Sequence, residues 1–256
     1  MSTHSTTVRR FERNTQGRDL IIGDVHGHFT KLRAALDAVA FDPAGGDRIF
    51  SVGDLVDRGP ESAQALEWLA QPWFFAVRGN HEDMAIAYDD GVMDGRLYAA
   101  NGGAWNLDAT SAETAAIAAT FRMLPIAMEL QTAAGTVGIV HADCPCRSWP
   151  EFVAELEGPT GQGDYERQHV IEMAIWNRAR IEEGVTDAIE GVHAVVVGHT
   201  PVERVTSLGN VHYIDTGGWL PVHQDGHFTV LNAETLQPER GRVAANDGAV
   251  LWEAAG

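Results

Sequence analysis

The sequence predicts an α/β fold whose first half is a mainly parallel sheet, and two observations carry this prediction. First, short apolar runs rich in β-branched and aromatic residues recur, as expected of buried strands, at 20–23, 48–52 and 73–77. Second, the segment FTKLRAALDAVAF between the first two runs has apolar residues at helical spacing. Strands that alternate with helices in this way form a parallel sheet with right-handed crossovers.

The remaining elements follow in chain order. A second helix is expected to begin at Gly59-Pro60-Glu61, because proline is tolerated in a first helical turn. Segment 83–125 is rich in Ala, Asp and Gly and is interpreted as helices and loops, and 142–164 as one long loop. A helix is predicted over 165–182. The last strands lack intervening helices, which favours antiparallel pairing, near 193–197, 210–214 and 227–231.

Length and composition indicate one large domain. A chain of 256 residues with 45% hydrophobic residues is long enough and apolar enough to bury a proper core. Residues 1–18 are expected to form a flexible N-terminal arm, and 19–256 a single domain. The large aromatic residues Trp105 and Trp149 are interpreted as core residues, with a place along a binding groove as the alternative.

The charge balance excludes two classes of partner. The chain has 36 acidic and 18 basic residues, a formal net charge of −18. Such a surface repels nucleic-acid backbones and anionic membranes, so we expect neither as a partner. It also repels phosphorylated substrates, so a phosphate site here needs local positive charge from metal ions or arginine.

The N-terminal residues, the hydropathy of the chain and its two cysteines predict a cytoplasmic protein. The first residues, MSTHSTTVRRFERN, lack the apolar stretch of a signal peptide, and no run is long enough to span a membrane. Cys144 and Cys146 flank a proline and do not form a CxxC motif. Because a disulfide between them would be strained, we expect two free thiols in a reducing compartment.

Five predicted strands end in residues that can bind metal ions: those at 20–23, 48–52, 73–77 and 193–197, and a fifth in the run TVGIVHADCP. A glycine comes directly before four of the strand-end residues, and the full candidate set is Asp24, His26, Asp54, Asn80, His141 and His199. Ligands of open α/β sheets lie beyond the carboxyl ends of the strands, so these side chains are expected to converge. Nitrogen and oxygen donors without thiolate suit Mn²⁺, Fe or Zn²⁺ at a catalytic site. Each motif alone is weak evidence, but their ordered recurrence predicts a hydrolytic site with two metal ions.

These motifs resemble a known signature. GDVHGH, GDLVDRG, RGNHE, VHAD, IWNR, GHTP and YIDTG are similar to the calcineurin-like metallophosphoesterase motifs of PPP-type serine/threonine protein phosphatases. HADCP, NGGAWNL and IWNRARI resemble the bacterial branch typified by the phage lambda protein phosphatase. The resemblance extends over about residues 18–232 and implies a metallophosphoesterase core of mixed sheets, flanked by helices.

The resemblance also implies roles for individual residues. One divalent ion would be held by Asp24, His26 and Asp54, and the other by Asp54, Asn80, His141 and His199. Mn²⁺ is the expected metal, with Fe or Zn²⁺ as alternatives. His81 would protonate the leaving group, Asp57 would orient His81, and Arg58 would bind the phosphate.

A second phosphate-binding arginine is expected at Arg178. On the predicted 165–182 helix, Arg178 follows Ile171 by seven residues and Ala174 by four, so it shares their apolar, inward face. Arg180 would lie on the other side with Trp176 and meet solvent. The WNR pattern of the resembled family also selects Arg178.

The implied activity is hydrolysis of phosphoserine and phosphothreonine in phosphoproteins or phosphopeptides, with extension to phosphotyrosine or phosphohistidine. The sequence has no Cys-x5-Arg and no Asp-x-Asp-x-Thr motif, so a metal-bridging hydroxide is expected to attack directly, without a phosphoenzyme. Two alternatives stay open. One is a symmetrical diadenosine tetraphosphate hydrolase on the same fold, and the other is a non-enzymatic phospho-binding regulator.

Overall fold

Two mixed sheets flanked by helices make up the part of the chain that the computed structural model describes, residues 7–158, 164–221, 224 and 226–240. The predicted fold class is therefore confirmed. Outside the described residues lie the start of the predicted N-terminal arm, the glycine-rich end of the predicted 142–164 loop and the last residues of the predicted 19–256 domain.

The first sheet has five strands in the order β11-β10-β2-β3-β4. Its strands are β2 (Asp19–Ile22), β3 (Arg48–Ser51), β4 (Phe74–Ala76), β10 (Val230–Asn232) and β11 (Gln237–Pro238). Strand β3 pairs in parallel with both β2 and β4, which confirms the predicted parallel first half. Strand β10 adds to β2 in antiparallel orientation, as expected for the second half.

The second sheet has six strands in the order β1-β5-β6-β7-β9-β8. Its strands are β1 (Val8–Phe11), β5 (Ala127–Thr132), β6 (Gly135–Val140), β7 (Ala194–Val197), β8 (Thr206–Leu208) and β9 (Val211–Tyr213). Strand β7 is parallel to both β6 and β9, so β6 and β7 end at the same edge of this sheet. The antiparallel pairing expected between 193–197 and 210–214 is therefore wrong, because β8 lies between them in the chain and is the strand that pairs with β9 in antiparallel orientation.

Helices connect the strands. They are α1 (Phe29–Ala38), α2 (Ala65–Leu69), α3 (Asn80–Asp89), α4 (Gly95–Tyr98), α5 (Ala104–Leu107), α6 (Ser111–Arg122), α7 (Trp149–Glu157), α8 (Asp164–Trp176) and α9 (Ala179–Glu183). A 3₁₀ turn at Ser62–Gln64 precedes α2, and a π-helical turn at Ala99–Gly103 joins α4 to α5. Within the described residues, no helix is long and apolar enough to cross a membrane.

Three buried clusters hold these layers together. Side chains from the facing sides of both sheets, including Phe50 and Met128, form the cluster between the sheets. The outer side of the five-stranded sheet packs against α1, α2, α3 and α6. The outer side of the six-stranded sheet packs against α7 and α8. Apolar burial on both sides keeps the sheets in fixed positions, and with them the strand ends that carry the polar residues.

The structure also corrects three other expectations. Val8–Phe11 of the predicted arm forms β1, which pairs with β5, and Phe11 packs edge-on against Phe50 at 4.9 Å. The predicted 142–164 loop contains α7, which begins where the Ser148 hydroxyl accepts the amide of Glu151. The helix expected at Gly59 begins only at Ser62, because the preceding turn is held by Glu61 N–H donating to the Gly27 carbonyl at 3.0 Å.

Candidate metal centre

All six candidate metal ligands lie at the carboxyl ends of strands, where the edges of the two sheets meet. Strands β2, β3 and β4 of the five-stranded sheet and β6 and β7 of the six-stranded sheet supply Asp24, His26, Asp54, Asn80, His141 and His199. Each is at most 5% exposed. The structure thus brings together in one buried place the polar residues that the sequence distributes over 176 positions.

One half of the site is centred on His26. Its Nδ1–H donates to the Val56 carbonyl at 2.9 Å, so Nε2 carries the lone pair of the ring. That nitrogen lies 3.6 Å from Asp54 Oδ2 and 3.9 Å from Asp24 Oδ2. Donor atoms of His26, Asp54 and His81 all lie within 4.8 Å of one another. An imidazole nitrogen with two carboxylate oxygens 3.6 and 3.9 Å away can hold a divalent cation.

The other half contains two histidines and an amide. His141 Nδ1–H donates to the Val52 carbonyl at 2.7 Å, and His199 Nε2–H donates to the Trp176 carbonyl at 3.2 Å. The remaining ring nitrogens, His141 Nε2 and His199 Nδ1, both face Asn80 Oδ1, at 2.9 and 2.8 Å. Two imidazole nitrogens and an amide oxygen that converge in this way can serve together as ligands of a cation.

Asp54 belongs to both halves. Its Oδ2 faces His26, and its Oδ1 lies 3.4 Å from His141 Nε2. Burial opposes its ionisation, but His141 and His81 hold the pKa of Asp54 well below its usual range. A carboxylate that offers one oxygen to each half could be a ligand of a cation in either half.

The charged groups around Asp54 favour cation binding. Burial and the nearby Asp215 and Asp54 raise the pKa of Asp24. Asp215 Oδ2 is buried and has no hydrogen-bond partner among the described residues. Burial, with His141, lowers the pKa of His199 to about 3, which keeps its ring neutral as a metal ligand requires. The donor set therefore fits two divalent cations.

The backbone at the site adopts unusual conformations. Five non-glycine residues here have positive φ angles between 44° and 69°: His26, Asp54, Asp57, Arg58 and His199. Such conformations cost about 1–3 kcal/mol each and persist only where the surrounding structure enforces them. The buried strands and the hydrogen bonds between the strand-end loops enforce them here.

A glycine before a ligand allows close approach, as the sequence predicted. A Cβ at Gly198, directly before His199, would overlap the Asp24 carboxylate and the Val52 side chain. The His199 amide also donates to both Asp24 carboxylate oxygens at 3.1 Å. The missing side chain therefore lets ligands from the two sheets come into contact.

Beside the ligands, His81 and Asp57 form a buried pair. His81 Nδ1–H donates to Asp57 Oδ2 at 2.8 Å, and Nε2 faces the site 3.9 Å from Asp54 Oδ2. The His81 amide donates to Asp54 Oδ1 at 3.0 Å, which places the ring at the start of α3. This geometry can deliver a proton from Nε2 toward an atom held at the site.

Arg58 lies across the mouth of the first half. Its guanidinium lies 2.8 Å from His26 Nε2 and 3.1 Å from His81 Nε2. The same group lies over the Trp219 ring, 4.4 Å from its centroid. An arginine in this place can meet an anion bound between the ligands and His81.

Sequence reasoning assigned no role to Glu82, although it ends the RGNHE motif. The fully buried carboxylate accepts the amides of Asp54, Leu55 and Gly79 at 3.0, 2.7 and 2.8 Å. Burial and the Asp54 charge raise the pKa of Glu82 to about 7. Glu82 thus fixes two strand-end loops to the first turn of α3. The available signal was a glutamate three residues after the N-cap glycine Gly79, a position from which its side chain can accept the N-cap amide.

The prediction that Arg178 and Arg180 lie on opposite faces of one helix over 165–182 is wrong in part. Helix α8 ends at Trp176, and α9 begins at Ala179, because the Asn177 side-chain oxygen accepts the Ala179 amide at 3.1 Å. The helix face that the sequence extrapolated therefore does not reach Arg178. Arg178 nevertheless lies beside the second half of the site and donates to Thr200 Oγ1 at 3.1 Å.

Arg180 does not meet solvent, contrary to the prediction. Its side chain is 11% exposed, and Nε lies 3.0 Å from Asp143 Oδ1, whose side chain is 6% exposed. Its Nη1 donates to the Asp187 carbonyl at 2.9 Å. Arg180 therefore connects the loop after β6 to the segment after α9 through a largely buried ion pair and a hydrogen bond.

We expect Arg180→Ala to lower the free energy of unfolding by about 3 kcal/mol, since it leaves the buried Asp143 carboxylate without its countercharge. About 3 kcal/mol is the lower end of the destabilisation that follows when one partner of a buried ion pair is removed. We expect the lower end because Asn177 Nδ2 and the Cys144 amide still donate to Asp143 at 3.0 and 2.8 Å. Denaturant unfolding measures the change. Arg178→Ala is the matched control and should raise KM with little loss of stability. Wild-type stability in Arg180→Ala would contradict a stabilising role for the ion pair between Arg180 and Asp143.

Comparison with known proteins agrees with this geometry. The family model for calcineurin-like phosphoesterases matches residues 18–212. Serine/threonine-protein phosphatase 1 of Salmonella typhimurium is 34% identical over 200 residues, 77% of this chain and 85% of that protein. A symmetrical bis(5'-nucleosyl)-tetraphosphatase of Thioalkalivibrio sulfidiphilus is 42% identical over 73 residues, 28% of this chain and 27% of that protein.

Likeness to solved structures concerns the fold alone. A protein described as a candidate diadenosine tetraphosphatase has a TM-score of 0.61 at 19% identity, over 91% of this chain and 96% of that chain.

Proposed function

Because this chain belongs to the calcineurin-like phosphoesterase family, we propose that it is a metal-dependent phosphatase acting on phosphoserine and phosphothreonine in proteins. The observation that carries the proposal is the position of Asp54, which faces His26 in one half of the site and His141 in the other. The serine/threonine phosphatase relative is matched along most of both chains, which supports a phosphoprotein substrate. The dinucleoside tetraphosphatase relative is matched over about a quarter of each.

Two divalent cations fit the six candidate ligands. Asp24, His26 and Asp54 would hold one, and the second would lie among Asp54, Asn80, His141 and His199. When bound, the cations would supply Lewis-acid activation of water and of the phosphoryl group. We propose Mn²⁺ as the resident metal, with Fe or Zn²⁺ as alternatives, because the donors are nitrogen and oxygen without thiolate.

Protein side chains would bind the phosphate and move the proton. Arg58 lies beside the first half of the site and Arg178 beside the second, so the two guanidinium groups can pair with phosphate oxygens from different sides. His81 Nε2 would give its proton to the leaving serine or threonine oxygen. Asp57 would keep the ring in the tautomer and orientation that this transfer needs.

We also place the enzyme in the cytoplasm. Cys144 and Cys146 are both free thiols, which suits a reducing compartment. Phosphotyrosine and phosphohistidine have the same phosphoryl group and are further candidate substrates.

A side-by-side assay tests the substrate class. Turnover of a phosphothreonine peptide and of diadenosine tetraphosphate is measured with one Mn²⁺-loaded preparation, and Asp54→Asn serves as the control for contaminating activity. We expect kcat/KM for the peptide to exceed that for the dinucleotide at least tenfold, about 1.4 kcal/mol in transition-state stabilisation.

The opposite ratio, with release of ADP from the dinucleotide, would make the protein a symmetrical tetraphosphatase. Tight binding of the phosphopeptide without turnover would instead identify a phospho-binding regulator.

A further inference from the structure

Two aromatic side chains donate hydrogen bonds to the same oxygen of Asp57. Trp105 Nε1–H donates to Asp57 Oδ1 at 2.7 Å, and the Tyr98 hydroxyl donates to that oxygen at 3.2 Å. The other oxygen, Oδ2, accepts His81 Nδ1–H at 2.8 Å. Asp57 is fully buried, so protein donors take the place of water around its carboxylate.

These contacts fix the orientation of the carboxylate. A carboxylate rotates easily about its bond to Cβ, and an aspartate held only by His81 could present either oxygen at a range of angles. Two donors on Oδ1 remove this freedom and leave Oδ2 directed at the imidazole. Positioning of this kind keeps a catalytic imidazole in one tautomer and one orientation.

The fold supplies both donors from one short segment. Tyr98 ends α4 and Trp105 lies in α5, and the π-helical turn Ala99–Gly103 joins them. Within this turn Gly102 has a φ of 102°, and its carbonyl accepts the Arg58 amide at 3.1 Å. One segment therefore contacts both Asp57 and Arg58.

Tyr98 is suited to be a permanent donor. It is fully buried and packs against the Tyr88 ring at a centroid distance of 5.3 Å. Burial and the neighbouring Asp57 charge raise the pKa of Tyr98. The phenol therefore keeps its proton.

We infer that Tyr98 and Trp105 are positioning residues that act through Asp57 on His81, and so determine how well His81 protonates the leaving group. The inference rests on the proposed function. Neither side chain is assigned a contact with the metals or the phosphate, so their removal should affect proton transfer more than substrate binding.

Leaving-group dependence tests the inference. Phenyl phosphate has a strongly basic leaving group that needs a proton, whereas p-nitrophenyl phosphate has a much weaker base. For Trp105→Phe and for Tyr98→Phe, we expect kcat on phenyl phosphate to fall about tenfold. We expect kcat on p-nitrophenyl phosphate to change less than about twofold, with KM and metal content unchanged. In an Asp57→Asn background, adding Trp105→Phe should have little further effect, since the two changes interrupt one chain of contacts.

Trp149→Phe is the matched control. It removes the same kind of bond, from Trp149 Nε1–H to Glu129 Oε1 at 2.8 Å, from a tryptophan that packs on the six-stranded sheet away from the site. We expect wild-type kinetics on both substrates. Equal losses on the two substrates, an additive effect on Asp57→Asn, or wild-type kinetics in both Trp105→Phe and Tyr98→Phe would overturn the positioning role.

A measurement without turnover separates this inference from the proposed function. In ¹⁵N-histidine-labelled, metal-free protein, the His81 Nδ1–H proton resonance, assigned by its absence in His81→Asn, should move in Trp105→Phe and stay in place in Trp149→Phe. A moved resonance in a protein that hydrolyses no phosphoester would overturn the proposed function and support the positioning role. An unmoved resonance in an active enzyme would overturn the positioning role alone.

Discussion

Asp54→Asn should lose bound metal and lower phosphoester hydrolysis by at least about 10³-fold, the largest effect we expect of any single substitution. The Asp54 carboxylate faces both His26 and His141. Asparagine keeps the size and one oxygen but removes the charge, so neither cation retains its shared anionic ligand. Metal content by elemental analysis and turnover of p-nitrophenyl phosphate measure the two losses.

Asp47→Asn controls for the general effect of removing the charge of a buried carboxylate. Asp47 is 6% exposed and pairs with Arg18 at 2.6 Å, at the end of the five-stranded sheet where β3 begins. Its replacement should reduce stability and leave metal content unchanged. Retention of two metal ions in Asp54→Asn, with near wild-type turnover, would contradict the bridging position.

His81→Asn should keep both metal ions and lower kcat on a phosphothreonine peptide by about 10²–10⁴-fold, the usual value of general acid catalysis. The loss should be much smaller on p-nitrophenyl phosphate, because its leaving group hardly needs a proton. Comparison of kcat on the two substrates, together with metal content, isolates the acid role.

His212→Asn is a suitable control, since His212 is on β9 and bonds to Ser207 at 2.9 Å, away from the ligands. Its kinetics should equal those of the wild type. If His81→Asn emptied the metal site, His81 would be a ligand, as its place within 4.8 Å of the His26 and Asp54 donor atoms permits.

The metal-ligand candidates were predictable because their signal is local. A buried strand that stops at a glycine and a polar residue can be identified within about ten residues, and parallel strands end at the same edge of a sheet. No long-range contact had to be known to select Asp24 or Asp54. The structure brings these side chains together, and their roles as ligands stay a prediction until metal binding is measured.

The parts that the sequence did not reveal depend on distant partners. Strand β1 exists because Val8 pairs with Ala127, more than a hundred positions away. Arg180 is buried because Asp143 lies next to it in space, and the helix before it ends through a side-chain bond of Asn177. The sequence predicts a core or groove position for Trp105 from the size of its side chain alone. Nothing in NGGAWNL indicates that the indole reaches Asp57. Such contacts are decided by packing between elements, which local patterns do not encode.

Titration of the metal-free protein with Mn²⁺ tests the central claim most directly, with bound metal and p-nitrophenyl phosphate turnover measured on the same samples. Two bound ions per chain should accompany full activity, and chelation should abolish both reversibly, because water activation at this site depends on the cations. Full activity at zero metal, verified by elemental analysis, would contradict a two-metal phosphatase, as would saturation of activity at a single bound ion.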